Sequence, residues 1–117
     1  MNDLSLDVLT SALHGLSERQ RAIADNIANV ETPNFHARRV DFETNLDRAI
    51  SDGDSQEVAD AANPVTSRSL EATRQDGNNV NLDDETVSAY QTNLRYQTVI
   101  EAVNYKFRLL RSSLQTH

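Results

Sequence analysis

"LSLDVLTSALHGLSERQRAIADNIANV", residues 4–30, decides how this chain folds. Leu6, Leu9, Leu13, Leu16, Gln20, Ile23, Ile27 and Val30 follow one another at steps of 3, 4, 3, 4, 3, 4 and 3. Alternating steps of three and four keep side chains on one side of a helix, so the stretch predicts a helix with an unbroken heptad seam. Asp3 is placed to cap it. At 1.5 Å per residue the helix from Leu4 to Val30 spans roughly 40 Å, and only Gln20 interrupts its apolar stripe.

The helix meets a stop at Thr32-Pro33. Proline lacks an N–H and pushes the residue before it out of helical dihedrals, so the helix ends by Glu31. Asn34 tolerates a left-handed backbone, which suits a sharp reversal, and Phe35 then brings an apolar ring back toward the helix flank. Asn26 and Asn29 are poor helix formers in the last turns. Their presence is explained if their amides bond something outside the helix, either the returning chain or a neighbouring subunit.

A second long helix is predicted over residues 82–114. Asn81 caps it, Asp83, Asp84 and Glu85 load its first turn with charge that suits the dipole, and neither Gly nor Pro follows. Its apolar positions are Val87, Tyr90, Leu94, Gln97, Ile100, Val103, Phe107, Leu110 and Leu114, with one 3-3 step around Gln97 that overwinds the contact locally. If the two helices pair antiparallel with Leu6 level with Leu114, Gln20 falls within about a turn of Gln97. The two glutamines then either set the register or face solvent.

Between the helices, residues 31–81 form a turn, a short helix and a linker. "VDFETNLDRAI", residues 40–50, places Phe42, Leu46, Ala49 and Ile50 on one helical face. Residues 51–64 are polar and acidic with a Gly and a Pro, the composition of a mobile linker. Residues 65–75 support an irregular extended segment. The fold class expected is therefore all-α: one domain over residues 1–117, its terminal helices paired as an antiparallel coiled-coil-like hairpin around an irregular, partly flexible middle.

Composition narrows the function. Aromatic residues are 5% of the chain and Trp is absent, too little bulk for a thick core. Without cysteine there are no disulfides or thiolate metal sites. The first residues carry Asp3 and Asp7 and no basic region, and no apolar run reaches the roughly 18 residues of a membrane span, so no cleavable signal or membrane insertion is expected. Net charge is −7, distributed as −1 over residues 1–40 (four bases, five acids), −9 over 41–85 (three bases, twelve acids) and +3 over 86–117 (four bases, one acid). Arg95, Lys106, Arg108 and Arg111 are too sparse for a nucleic-acid face and read as a solvated helix surface.

Catalysis has no support in the residues. His14, His36 and His117 are scattered, and neither a paired-histidine metal motif nor a phosphate loop nor a nucleophile elbow occurs. Asp52, Asp54, Glu57 and Asp60 lie in the linker, where carboxylates are solvated and unperturbed. No enzyme activity, cofactor or metal is expected. Two helices sharing one seam also leave their flanks uncovered, and backbone ordering opposes the limited burial. Those flanks need partners. Ala12, Ala22, Ala24 and Ala28 suit a helix or a close approach, and Gly15, unfavourable in a helix interior, implies a packing reason.

"RQRAIADNIANVETPNF" followed by "HARRVDFETNL", with "DGNNVNLDDE" and "NLRYQTVIEAVNYKFRLLRSSL" toward the other end, resembles flagellar basal-body rod proteins of the FlgB type. The resemblance covers residues 4–50 and 76–114, about three quarters of the chain. "NIAN" with the following "TP" is shared by flagellar axial proteins, the rod and hook superfamily. "DGNNV" at 76–80, "RYQ" at 95–97 and "KFRLLR" at 106–111 point to the proximal-rod type. The family often has Gly where this chain has Asn34 and Asp where it has Asn81, and the chain is short between residues 51 and 75.

The resemblance implies a structural subunit, exported unfolded by the flagellar type III apparatus without cleavage. Its terminal helices polymerise into the helical drive shaft around the export channel, in the periplasmic part of the basal body. The partners implied are other copies, FlgC- and FlgF-type rod proteins, a FliE-type adaptor and the export gate. An FlgC-type rod protein or a small helical export chaperone is the alternative. Subunit packing is assigned to the seams, Leu6, Leu9, Leu13, Leu16, Gln20, Ile23, Ile27, Val30, Leu94, Gln97, Ile100, Val103, Phe107, Leu110 and Leu114. It is assigned equally to the two turns, Asn26, Asn29, Thr32, Pro33 and Phe35, and Asp76, Gly77, Asn78, Asn79 and Val80.

Overall fold

The computed structural model describes residues 4–61 and 65–115. Among these, the elements in chain order are α1 (Leu4–Ala28), β1 (Arg38–Asp41), α2 (Glu43–Asp52), α3 (Ser55–Asp60), β2 (Val65–Arg68) and α4 (Leu82–Gln115). The chain is mostly helical and its first and last helices are long, as the periodicity predicts. Capping by Asp3 falls outside the described residues.

The α1 helix stops at Ala28, two residues short of Val30. The Asn29 N–H is shared between the Asp25 and Asn26 carbonyls at 3.1 and 3.2 Å, and the Val30 N–H reaches Ile27 O at 3.2 Å. The last turn has tightened to i→i−3 bonding, a common way for a helix to end. At the other helix the cap is as expected: Asn81 Oδ1 accepts the N–H groups of Asp83 and Asp84 at 3.0 and 3.3 Å.

The all-α expectation is corrected by a two-stranded antiparallel ribbon, β1 against β2, with Arg38 opposite Arg68 and Val40 opposite Thr66. Its cause is local alternation. Val40 and Phe42 are buried while Asp41 between them is exposed, a period of two that only an extended chain produces. The linker expectation for residues 51–64 is also corrected over its described part. Asp54 Oδ1 accepts the N–H groups of Gln56 and Glu57 at 2.8 and 3.4 Å and starts α3, and Val58 and Ala61 anchor that turn in the core.

That core consists of Leu16 and Ala22 from α1, Val40 and Phe42 beside the ribbon, Leu46 and Ala49 from α2, and Val58 and Ala61. Leu4, Val8 and Ala12 of α1 and Tyr96 and Val99 of α4 pack against it. Gly15 finds its reason here: a Cβ at that position would come within 2.5 Å of the Phe42 ring. The close approach is by an aromatic ring and not by another helix. Ile50, expected inward with Phe42, Leu46 and Ala49, is exposed, because it lies about 100° around the helix from Ala49 and so at the rim.

The α1 and α4 helices run antiparallel. Asn26 meets Glu85, and Ile23 shares a groove with Ala89, so numbers fall along α1 as they rise along α4. This alignment corrects the expected one. Gln20 lies level with about residue 91, roughly six residues or 9 Å from Gln97, and the glutamines do not pair. The helix slides because its first turn is fixed to Asn26, and its last two or so turns extend past Leu4. The resulting body is elongated, 66 by 25 by 15 Å.

Candidate assembly surface

Every polar atom of the Asn26 amide is used inside the chain. Its Oδ1 accepts the Arg38 N–H at 2.8 Å, and its Nδ2 donates to Arg38 O at 3.0 Å and to Glu85 Oε2 at 3.2 Å. The side chain thus acts as a peptide group laid along the outer edge of β1. Glu85, wholly buried, completes its pairing with Arg39 Nη1 at 2.7 Å. One asparagine therefore joins the end of α1, the returning strand and the start of α4.

The turn at 74–80 is built by the same means. Asn78 Nδ2 donates to the carbonyls of Asn29 and Thr32 at 2.9 and 2.8 Å, which also accept the N–H groups of Thr32 and Phe35 in the turn after α1. Asn79 Oδ1 accepts the Ala37 N–H at 2.7 Å while its Nδ2 donates to Ser69 O at 3.1 Å, which extends the ribbon ladder by one side chain. Arg74 donates to Val80 O at 2.7 Å and to Val30 O. Asn34 takes a φ of 63°, as the reversal requires, and its N–H reaches Asp76 O at 2.9 Å. Gly77 faces it with a φ of 83°, and a Cβ there would overlap the Asn34 side chain.

Much of the turn set assigned to subunit packing is thus engaged within the subunit: Asn26, Asn78, Asn79 and Val80 are buried. Asn29 bonds within its own chain, its Nδ2 donating to Asp25 O at 2.8 Å and its Oδ1 accepting the Thr32 hydroxyl at 3.0 Å. Phe35 is half-buried under the Arg68 guanidinium, 5.4 Å from its ring centre. Thr32, Pro33 and Asp76 remain exposed, Gly77 less so. Sequence reasoning read Glu85 as a helix-dipole charge and missed its burial, together with the roles of Arg39 and Arg74. Arg39 lies 46 residues from Glu85, so no local pattern marks the pair.

The α4 helix presents the opposite face from the one its apolar pattern suggests. Glu85 and Thr92 are buried, with Ser88, Ala89, Tyr96 and Val99 half-buried beside them. The apolar stripe points away: Tyr90 is 71% exposed, Leu94 62%, Phe107 50% and Leu114 79%, with Val87, Gln97 and Ile100 also exposed. Positions two apart lie roughly 200° apart around a helix, so burying Glu85 and Thr92 turns Val87 and Leu94 outward. Val103 and Leu110 are half-buried. On α1, Leu16 and Ile23 are buried, Leu6, Leu9, Leu13, Gln20 and Val30 half-buried, and Ile27 exposed. A shallow apolar groove bordered by Ile23, Ala24, Ile27 and Ala89 continues toward Tyr90 and Asn93.

Charge chemistry elsewhere is structural. Arg19 grips Glu43 through two bonds, its Nη2 at 2.9 Å, and also donates to Val40 O at 2.7 Å. Burial alone would raise the Glu43 carboxyl, but the hydrogen bonds and charge of Arg19 with backbone N–H groups bring it below its ordinary value. Glu57 departs from the expected unperturbed state: its hydrogen bond with Asp52, slight burial, and the charges of Asp52 and Asp54 push it up. Among the described residues, no group of three His, Cys, Asp or Glu is arranged to hold a metal ion, and no helix is long and apolar enough to cross a membrane.

The pattern of the family described as "Flagella basal body rod protein" matches residues 6–36. The chain is 32% identical over 115 residues to the flagellar basal body rod protein FlgB of Bacillus subtilis (strain 168), covering 91% of this chain and 89% of that protein. It is 33% identical to FlgB of Borrelia hermsii over 89% of this chain and 92% of the relative, and 29% identical to FlgB of Escherichia coli (strain K12) over 97% and 95%. The chain belongs to the FlgB family of flagellar basal body rod proteins and is a structural subunit of the flagellar rod.

Proposed function

We propose that the chain acts as a single rod-type unit over residues 1–117 and polymerises through its terminal helices into the helical drive shaft around the export channel. The observation that supports this most directly is the outward stripe of α4, with Tyr90, Leu94, Phe107 and Leu114 in solvent. Contiguous apolar surface of this kind marks an interaction site. Its heptad spacing suits a coiled-coil-like seam completed by helices of neighbouring subunits, joined by Leu6, Leu9, Leu13, Gln20, Ile27 and Val30.

The packing set is then divided. Leu94, Gln97, Ile100, Val103, Phe107, Leu110 and Leu114 meet neighbours, whereas Leu16, Ile23, Asn26, Asn78, Asn79 and Val80 shape the subunit that presents them. The partners are other copies, FlgC- and FlgF-type rod proteins, the FliE-type adaptor and the export gate. The site of assembly is the periplasmic part of the basal body, reached by export without a cleaved signal. Leu94→Glu tests the reading: it adds charge to the outward stripe and touches nothing in the core. We expect a folded chain by circular dichroism that no longer sediments as polymer and leaves cells without rods. Normal rods from this variant would overturn the proposal.

A further inference from the structure

Over residues 85–94, burial of apolar surface alone would bring the Val87, Tyr90 and Leu94 side of α4 against α1, since these side chains are larger and less polar than Glu85, Ser88, Ala89 and Thr92 now on the inner side, while farther along Tyr96 and Val99 already pack on the core. On α1, Ile23, Ala24 and Ile27 border the groove beside α4, so an apolar surface waits for whichever face turns inward. Yet Glu85 and Thr92, at 0% and 2% exposure, occupy the inner side. A specific interaction outweighs the general one. Glu85 supplies it, with Arg39 Nη1 at 2.7 Å and Asn26 Nδ2 at 3.2 Å. Neither donor is free to follow the helix if it turns. Asn26 is locked by the Arg38 N–H and carbonyl, and Arg39 is fixed in β1. Turning α4 would carry the carboxylate off both donors and out to solvent, and leave one N–H of the Asn26 amide without a partner in the interior.

We propose that Glu85 is the residue that selects the face of α4: its buried pairing with Arg39 and Asn26 turns the polar side toward α1 and so holds Val87, Tyr90 and Leu94 outward for a second copy of this chain. The use of that side by another copy rests on the assembly reading above; the selection of the face does not. Without the pairing, the chain covers its own stripe. A subunit that did so would be self-contained, and the loss of the Glu85 pairing with Arg39 and Asn26 opposes it. Arg39 is 35% exposed, so when Glu85 is removed its guanidinium reaches water and no unpaired charge is left inside.

The chain has no cysteine, so one introduced thiol reports one position. Maleimide labelling of dilute chain should be fast in Leu94→Cys and slow in Thr92→Cys. Adding Glu85→Leu should reverse that order, slowing the thiol at position 94 by roughly tenfold or more as it becomes protected. Arg39→Lys with Glu85 in place, which keeps a cation for the carboxylate and leaves the Asn26 bond untouched, should keep the original order. An unchanged order in Glu85→Leu with full helix content would overturn the proposal. So would loss of the helix signal in that variant, because Glu85 would then hold the fold and not choose the face. A reversed order in Arg39→Lys would overturn the role of the pair. Sedimentation of the same variants reads assembly separately: a reversed order with assembly intact would leave face selection standing and remove its link to other copies.

Discussion

Asn26 shows what a polar side chain gains by burial when all its partners are supplied. Its amide meets the N–H and carbonyl of Arg38 and the Glu85 carboxylate, so the residue that weakens α1 as a helix secures three parts of the chain at once. Replacing it by alanine takes the partner from the part-buried N–H and carbonyl of Arg38 and from a buried Glu85 oxygen, and Asn26→Ala should lower stability by about 2–4 kcal/mol. Asn26→Asp should be worse, because a second carboxylate then faces Glu85; urea midpoints of the three chains check the order. Glu43 makes a prediction in pH. Its folded pKa lies below the ordinary 4.5, so its contribution is fully present above that value and is lost as the pH falls through the lower folded one. The stability gap between the natural chain and Glu43→Gln should therefore be constant near neutrality and close on acidification below about 4.5, in denaturation curves taken at successive pH values.

Elements differ in how much of them a sequence reveals. The long helices are legible because their signals are local: the seam of α1, Asn81 with its acidic first turn, and Pro33 as a stop. Helix α3 also left a signal, Asp54 followed three residues later by Glu57 with Val58 behind it, a capping pattern that the acidic composition of residues 51–64 obscured. The ribbon left less. Val40 and Phe42 alternate with Asp41, but β2 is exposed along its whole length, and its partner lies more than twenty residues away. For α4 the pattern misleads about orientation: apolar periodicity identifies a face that wants burial without saying whose surface buries it. Of the proposed packing residues, the C-terminal seam was legible for that reason. The division between internal and outward positions was not, since it depends on a pairing between Glu85 and Arg39 that no local spacing records. At the turn, Asn78 holds the Thr32 carbonyl beside Pro33. Pro33→Ala lets α1 run on and draws that carbonyl away, so rod assembly should fall more than secretion of the subunit; immunoblots of secreted and basal-body fractions measure both.

As a whole molecule, the chain is a long helix secured at one end and in its middle and uncovered at the other. The core of α1, the ribbon, α2 and α3 supports α4 as far as Tyr96 and Val99, and Val103 and Leu110 beyond it are half-buried, while Tyr105, Phe107, Leu109 and Leu114 stand largely in solvent. Helix without tertiary cover is marginal in water, so on the proposed assembly this end takes its cover from neighbours. The most direct measurement is helix content by circular dichroism across a dilution series, with sedimentation of the same samples. The account predicts that helicity falls on dilution and returns in step with association. A monomer that keeps its full helix content when dilute, and melts cooperatively at a temperature independent of concentration, would contradict it.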